Sequence, residues 1–162
     1  MIICDLKGDL GDYLFQIFTT INYAIENNIT FNFINYTGKK NHIYFDNIFR
    51  PLKQFIINQL PDNVFYSKEL YYNYNRLNYL DALNILLIDN YHSYKYFINN
   101  YQQIYDYIKI NDLKECVLKK YPNIHKYISI HFKYNSYKNI PIYVLLPYGY
   151  YKKTVQFMIS KY

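Results

Sequence analysis

The chain has no tryptophan, and only four glycines, five prolines and two cysteines among its 162 residues. Two isolated thiols, Cys4 and Cys116, without C-x-x-C spacing argue against a disulfide scaffold and against a zinc site, and they fit a reducing compartment. No metal is called for. No apolar run approaches the ~20 residues of a membrane-spanning helix. Asp5 interrupts the first apolar stretch at once, unlike the core of a secretory signal. The expectation is a soluble, cytoplasmic protein with no membrane span. Acidic residues are also scarce, 12 against 18 Lys and Arg, for a net charge of +6. Such a balance permits phosphate-rich partners, and tyrosine faces stack on bases. Yet the lysines cluster only as pairs, Lys39-Lys40, Lys119-Lys120 and Lys152-Lys153, so solvated helix faces account for them better than a nucleic-acid surface does.

What the chain has is tyrosine, 24 residues, with 11 phenylalanines. Asn, Ile and Lys are abundant as well, the bias an AT-rich coding sequence produces. The length suits one domain with a real core, residues 1–162. Nothing in it suggests a repeat, a coiled coil or a disordered linker.

Two of the four glycines fall in one short turn. Met1 to Leu6 is an apolar strand pattern, and Leu14, Ile17, Phe18, Ile21, Ala24 and Ile25 recur at helical spacing. Gly8 and Gly11 lie between or just inside these elements, where positive φ and close backbone approach are their physical uses. A helix start there presents free N–H groups suited to a phosphate or a sugar oxygen. Asp9 and Asp12 oppose that use, because a carboxylate at a helix start caps the N–H groups itself. Both readings stay open on spacing alone.

Further on, Ile29 to Ile34 alternates as a second strand, completing a βαβ unit. Tyr44 to Phe49 forms an apolar turn onto the sheet, and Pro51 begins a new segment. From Pro61 to Asn84 the pattern predicts irregular structure. Asn84 to Asp89 is another parallel strand, and Tyr96, Phe97, Tyr101, Ile104, Tyr105 and Ile108 share a helical face. A helix runs from Asn111 to Tyr121, Tyr127 to Phe132 reads as a strand, and a last helix begins near Tyr148. Strands alternating with helices imply an α/β fold, a Rossmann-like three-layer sandwich with a mainly parallel sheet.

Three stretches together resemble the family-11 glycosyltransferases, the α-1,2-fucosyltransferases. The family's GGLGNQLFQ is similar to Gly8-Asp9-Leu10-Gly11-Asp12-Tyr13-Leu14-Phe15-Gln16. Its GYFQSEKYF is similar to residues 89–97, with Ser93, Lys95, Tyr96 and Phe97 in register. Its SIHVRRGDY and LPxxYYKKA resemble Ser129 to Tyr137 and Leu146 to Thr154. The resemblance implies the N-terminal domain of a two-domain, GT-B-like enzyme, with most of the C-terminal donor-binding domain absent. It implies transfer of fucose, or another hexose, from GDP-fucose or a related GDP-sugar to a carbohydrate acceptor, with no further cofactor. By this resemblance His131 and Lys133 hold the donor diphosphate, and the loop of Gly8, Gly11 and Asp12 walls the cleft. The family's second arginine is Tyr134 here and its acidic residue is Ser136.

Glycosyl transfer needs a base for the acceptor hydroxyl and positive charge for the departing diphosphate. His131 is the first candidate base, followed by Asp5, Asp12 and His92. Three functions follow: a transferase, active when a partner chain supplies the missing domain; a degenerate or truncated remnant acting as a binding or scaffold module; and, least favoured, a basic nucleic-acid binder.

Overall fold

The computed structural model describes residues 1–34, 41–69, 73–77, 84–130, 141 and 144–161. They form two units, Met1–Pro122 and Asn123–Tyr162. The first unit is built on β1 (Ile2–Asp5), α1 (Leu10–Asn27), β2 (Phe31–Ile34), α2 (Asn41–Asp46), β3 (Ile56–Ile57), β4 (Val64–Ser67), β5 (Asn84–Leu87), α3 (Tyr101–Tyr107) and α4 (Ile110–Lys120).

All five strands are parallel, in the order β3-β2-β1-β5-β4. The α/β class and the parallel sheet are those expected from the alternating pattern. β1 lies at the centre, with Ile2 opposite Phe31 on one side and Ile85 on the other. A strand flanked on both sides and buried on both faces must be apolar throughout, as Ile2, Ile3 and Cys4 are. Ile2, Cys4, Phe31, Phe33, Ile85 and Leu87 share one face, packed with Ile17 and Ile21 of α1, Phe45 of α2 and Ile104 of α3. The other face carries Ile3, Ile34 and Leu86, against Met1, Ile57, Leu60, Val64 and Ile88.

Asn28 ends α1 in the left-handed conformation, its N–H returning to the carbonyls of Ala24 and Ile25. Asparagine tolerates that geometry better than most residues. The sheet then grows outward from β1 to β3, crosses, and returns inward from β4 to β5. The order therefore reverses between β1 and β5, and ligands of open α/β sheets bind outside the carboxyl ends of strands at such a point.

The stretch expected to be irregular contains β4. It was not legible because Phe65 and Tyr66 are exposed, 49% and 59%, so this edge strand shows no alternation and is defined by its ladder to β5. Tyr94–Tyr96 and Ile98–Asn100 are 3-10 turns ahead of α3 rather than part of one helix. Phe97, between them, has φ −143° and ψ 4°, outside the helical region, and this breaks the helical path.

The second unit has a 3-10 turn at Ile124–Lys126 and the helix α5 (Tyr148–Lys161). Residues 127–130, read from sequence as part of a strand, form no strand. They are exposed and have no ladder partner among the described residues, and alternation without a partner does not make a strand. Among the described residues, no helix is long and apolar enough to cross a membrane.

Candidate functional site

The turn after β1 is held from three directions. Gln16, fully buried on α1, accepts the Lys7 N–H at 3.1 Å and donates to the Lys7 carbonyl at 3.1 Å and to Asn90 Oδ1 at 2.9 Å. The Lys7 ammonium donates to the carbonyl of Ile88. One glutamine and one lysine thus tie the carboxyl ends of β1 and β5 to the first helix, at the point where strand order reverses. A buried amide has to find partners, and here both of its ends do.

Gly8 takes φ +92°, and a Cβ there would collide with the Asp12 carboxylate. Its conformational freedom is therefore required. Gly11 is different: it sits inside α1 with open space around its Cα, so neither of the uses expected of it holds. Asp9 caps the helix, and its N–H donates to Asp12 Oδ2 at 2.8 Å in a capping box. The carboxylates thus satisfy this helix end internally, and the capping reading prevails over the anion seat.

The other oxygen of Asp12 faces outward. His92 Nε2 lies 2.6 Å from Asp12 Oδ1, with side chains 38% and 26% exposed respectively. Phe15 packs edge-on against the imidazole at 5.4 Å. Behind it Tyr91 is buried in the left-handed conformation, φ +54°, its hydroxyl donating to the Ser67 carbonyl at 2.9 Å. That anchor ties the residue before His92 to β4. With Asp12 accepting at Nε2, a neutral imidazole carries its proton there, which makes Nδ1 the basic nitrogen of the ring. The pair has the parts of a carboxylate-oriented general base.

Of the residues singled out from sequence, the structure brings Asp12 and His92 together and sets Gly8 beneath them. Asp5 is half-buried at the end of β1; desolvation raises its pKa, with Lys7 acting in the opposite direction. Cys4 is buried in the sheet, and desolvation pushes its thiol up to about 12, despite a hydrogen bond from Thr20. His131 and Lys133 lie outside the described residues. Gln16, Asn90 and Lys7 were missed as site residues. The available signal was Gln16 itself, a polar residue set among the apolar positions Tyr13, Ile17, Ile21 and Ala24 of the buried helix face. Among the described residues, no cluster of His, Cys, Asp and Glu could hold a metal ion.

No protein-family model, no curated protein and no solved structure matches the chain.

Proposed function

We propose that the chain is a fucosyltransferase-like glycosyltransferase domain, transferring fucose or another hexose from a GDP-sugar to a carbohydrate hydroxyl. The observation that carries this reading is the Asp12–His92 pair, exposed at the reversal point between β1 and β5. It joins two of the three stretches on which the family resemblance rests, residues 8–16 and 89–97.

In this reading Asp12 fixes the imidazole, and His92 Nδ1 takes the proton of the acceptor hydroxyl. The acceptor oxygen bonds to the anomeric carbon as the bond from that carbon to the diphosphate breaks. GDP leaves with the electron pair. By resemblance, His131 and Lys133 steady the charge on the diphosphate, and a partner chain supplies the rest of the donor pocket. The first choice of base thereby moves from His131 to His92, because His92 has an orienting carboxylate among the described residues.

A second reading keeps the fold as a binding or scaffold module without turnover. It is favoured by Tyr134 and Ser136 standing where the family has arginine and aspartate, since a phosphate-binding guanidinium fork has no substitute in a phenol.

The deciding experiment measures GDP release from GDP-fucose with a panel of glycoside acceptors, for the native chain and His92→Ala. The transferase reading expects release that falls by about 10²-fold or more in the variant, the usual worth of a positioned base. Equal rates in the two proteins would remove His92 from the chemistry. GDP binding without release would favour the binding module.

A further inference from the structure

The positive charge of the chain is confined to one part of it. Every Asp and Glu lies in the first unit, 12 against an equal 12 Lys and Arg, so residues 1–122 carry no formal net charge. The second unit, Asn123–Tyr162, has six lysines, no arginine and no acidic residue, and it holds the whole excess of +6. It also leaves its apolar side chains in solvent. None of its described residues is buried, and Tyr127, Tyr148 and Ile159 are 72%, 78% and 71% exposed. Lysines unrelieved by any carboxylate of the unit, beside apolar side chains without a core, mark a surface for a partner that is both anionic and apolar.

The two features meet on one face. Along α5, Tyr148, Lys152, Val155 and Ile159 follow at intervals of four, three and four, which sets them on one side of the helix. Ile159 borders an open hollow of about 650 Å³, lined also by Tyr127, Ile128 and Met158, with His125 and Lys126. Its lining is mainly apolar, and a lysine stands on each of the two segments that form it. Nucleic acid answers only the charge: its interfaces are polar and favour the guanidinium fork of arginine, which this unit lacks, and Ile128 and Ile159 offer no ring on which a base stacks. A bilayer with acidic headgroups answers both. Ammonium groups reach the phosphates while lysine stems and tyrosine rings lie in the interface and isoleucine enters the acyl boundary. At 14 residues α5 is shorter than the ~20 of a membrane-spanning helix, so it suits lying on such a surface and not crossing it.

We propose that this face of the second unit docks the protein onto an anionic lipid bilayer, with Lys126 and Lys152 on the headgroup phosphates and Tyr127, Tyr148 and Ile159 in the interface. The attachment is peripheral and reversed by salt, because exposed charges are screened beyond ~8 Å at physiological ionic strength. It stands apart from the transferase reading, since it needs neither nucleotide nor turnover.

The test mixes the full chain with large unilamellar vesicles, either phosphatidylcholine alone or phosphatidylcholine and phosphatidylglycerol in equal parts. The chain has no tryptophan, so Tyr148→Trp adds a single reporter on this face. Its emission should shift to the blue on the mixed vesicles, be quenched by brominated acyl chains, and return to its aqueous position at high salt. Phosphatidylcholine alone should bind at least about 10-fold more weakly. Lys126→Gln combined with Lys152→Gln should weaken binding about 25-fold, roughly fivefold for each lysine. Ile159→Ser should weaken it about 10-fold through lost apolar burial. All three positions are exposed, so these variants should melt with the parent. No shift on the mixed vesicles, equal binding to both vesicle types, or unchanged binding by the variants would overturn the proposal. Binding of single-stranded DNA without vesicle binding would overturn it in favour of nucleic acid. A dimeric chain whose reporter is already blue-shifted and ignores vesicles would assign the face to a second copy and overturn it too. Vesicle binding by a chain whose Tm ignores GDP would sink the transferase reading and leave this docking standing. GDP stabilisation with no vesicle binding would do the reverse.

Discussion

His92 Nε2 stands 2.6 Å from Asp12 Oδ1 across 80 positions of sequence, and the fold, not the local chain, makes the contact. Asp12 reaches it from the first turn of α1, while its second oxygen receives the Asp9 N–H. One carboxylate serves the helix cap and the imidazole at once. Asp12→Asn can still accept the Asp9 N–H, so its stability cost should stay below about 1 kcal/mol, whereas Asp12→Ala removes that acceptor and half of the capping box and should cost ~1 kcal/mol or more. Urea unfolding distinguishes the two. Turnover should fall in both variants, since neither orients His92 as the carboxylate does.

The two glycines of the turn should respond with opposite sign. Gly8→Ala places a Cβ against Asp12 at φ +92° and should destabilise by about 1–3 kcal/mol. Gly11→Ala meets open space inside a helix and should stabilise by about 0.5–1 kcal/mol. Paired denaturation curves check both signs.

Gln16→Leu should be among the most damaging single substitutions. It leaves the N–H and carbonyl of Lys7 without their partner and frees Asn90. At ~1–3 kcal/mol for each stranded buried group, the loss should be roughly 2–4 kcal/mol. Faster hydrogen exchange at Lys7 would localise the effect to the turn.

The two thiols should separate cleanly. Cys4 is buried and Cys116 exposed, so a thiol reagent should modify one site per native chain near neutral pH and both sites in urea. Linkage supplies a second readout. The folded pKa of Cys4 is raised from 9.0 to about 12, so the folded state holds this proton more tightly than the unfolded state does. Its contribution is fully present below pH 9 and is lost as pH rises toward 12. Cys4→Ser should reduce that alkaline loss in pH-dependent melting.

The βαβ start was legible because its signals are local: an all-apolar central strand, a helical stripe, and an asparagine where α1 stops. β5 was legible for the same reason. β4 was hidden because an edge strand with exposed Phe65 and Tyr66 owes its state to pairing rather than pattern. The reading at 127–130 failed in the opposite way, a good local pattern with no ladder. In the candidate site, Gly8 and Asp12 could be marked from the turn alone. The choice of His92 as partner required strand order, which brings the end of β5 beside the end of β1. Gln16 was visible as a residue but not as a clamp, because its partners lie 9 and 74 positions away.

The central claim is that the chain recognises a guanosine diphospho-sugar. Its most direct test is the Tm of the full chain titrated with GDP to millimolar concentration, alone and with any candidate partner chain. Ligand that binds only the native state stabilises it by about 2.7 kcal/mol at a hundredfold excess over Kd. The account predicts a saturable rise in Tm that is lost in Lys133→Ala; a flat Tm throughout the titration would contradict it.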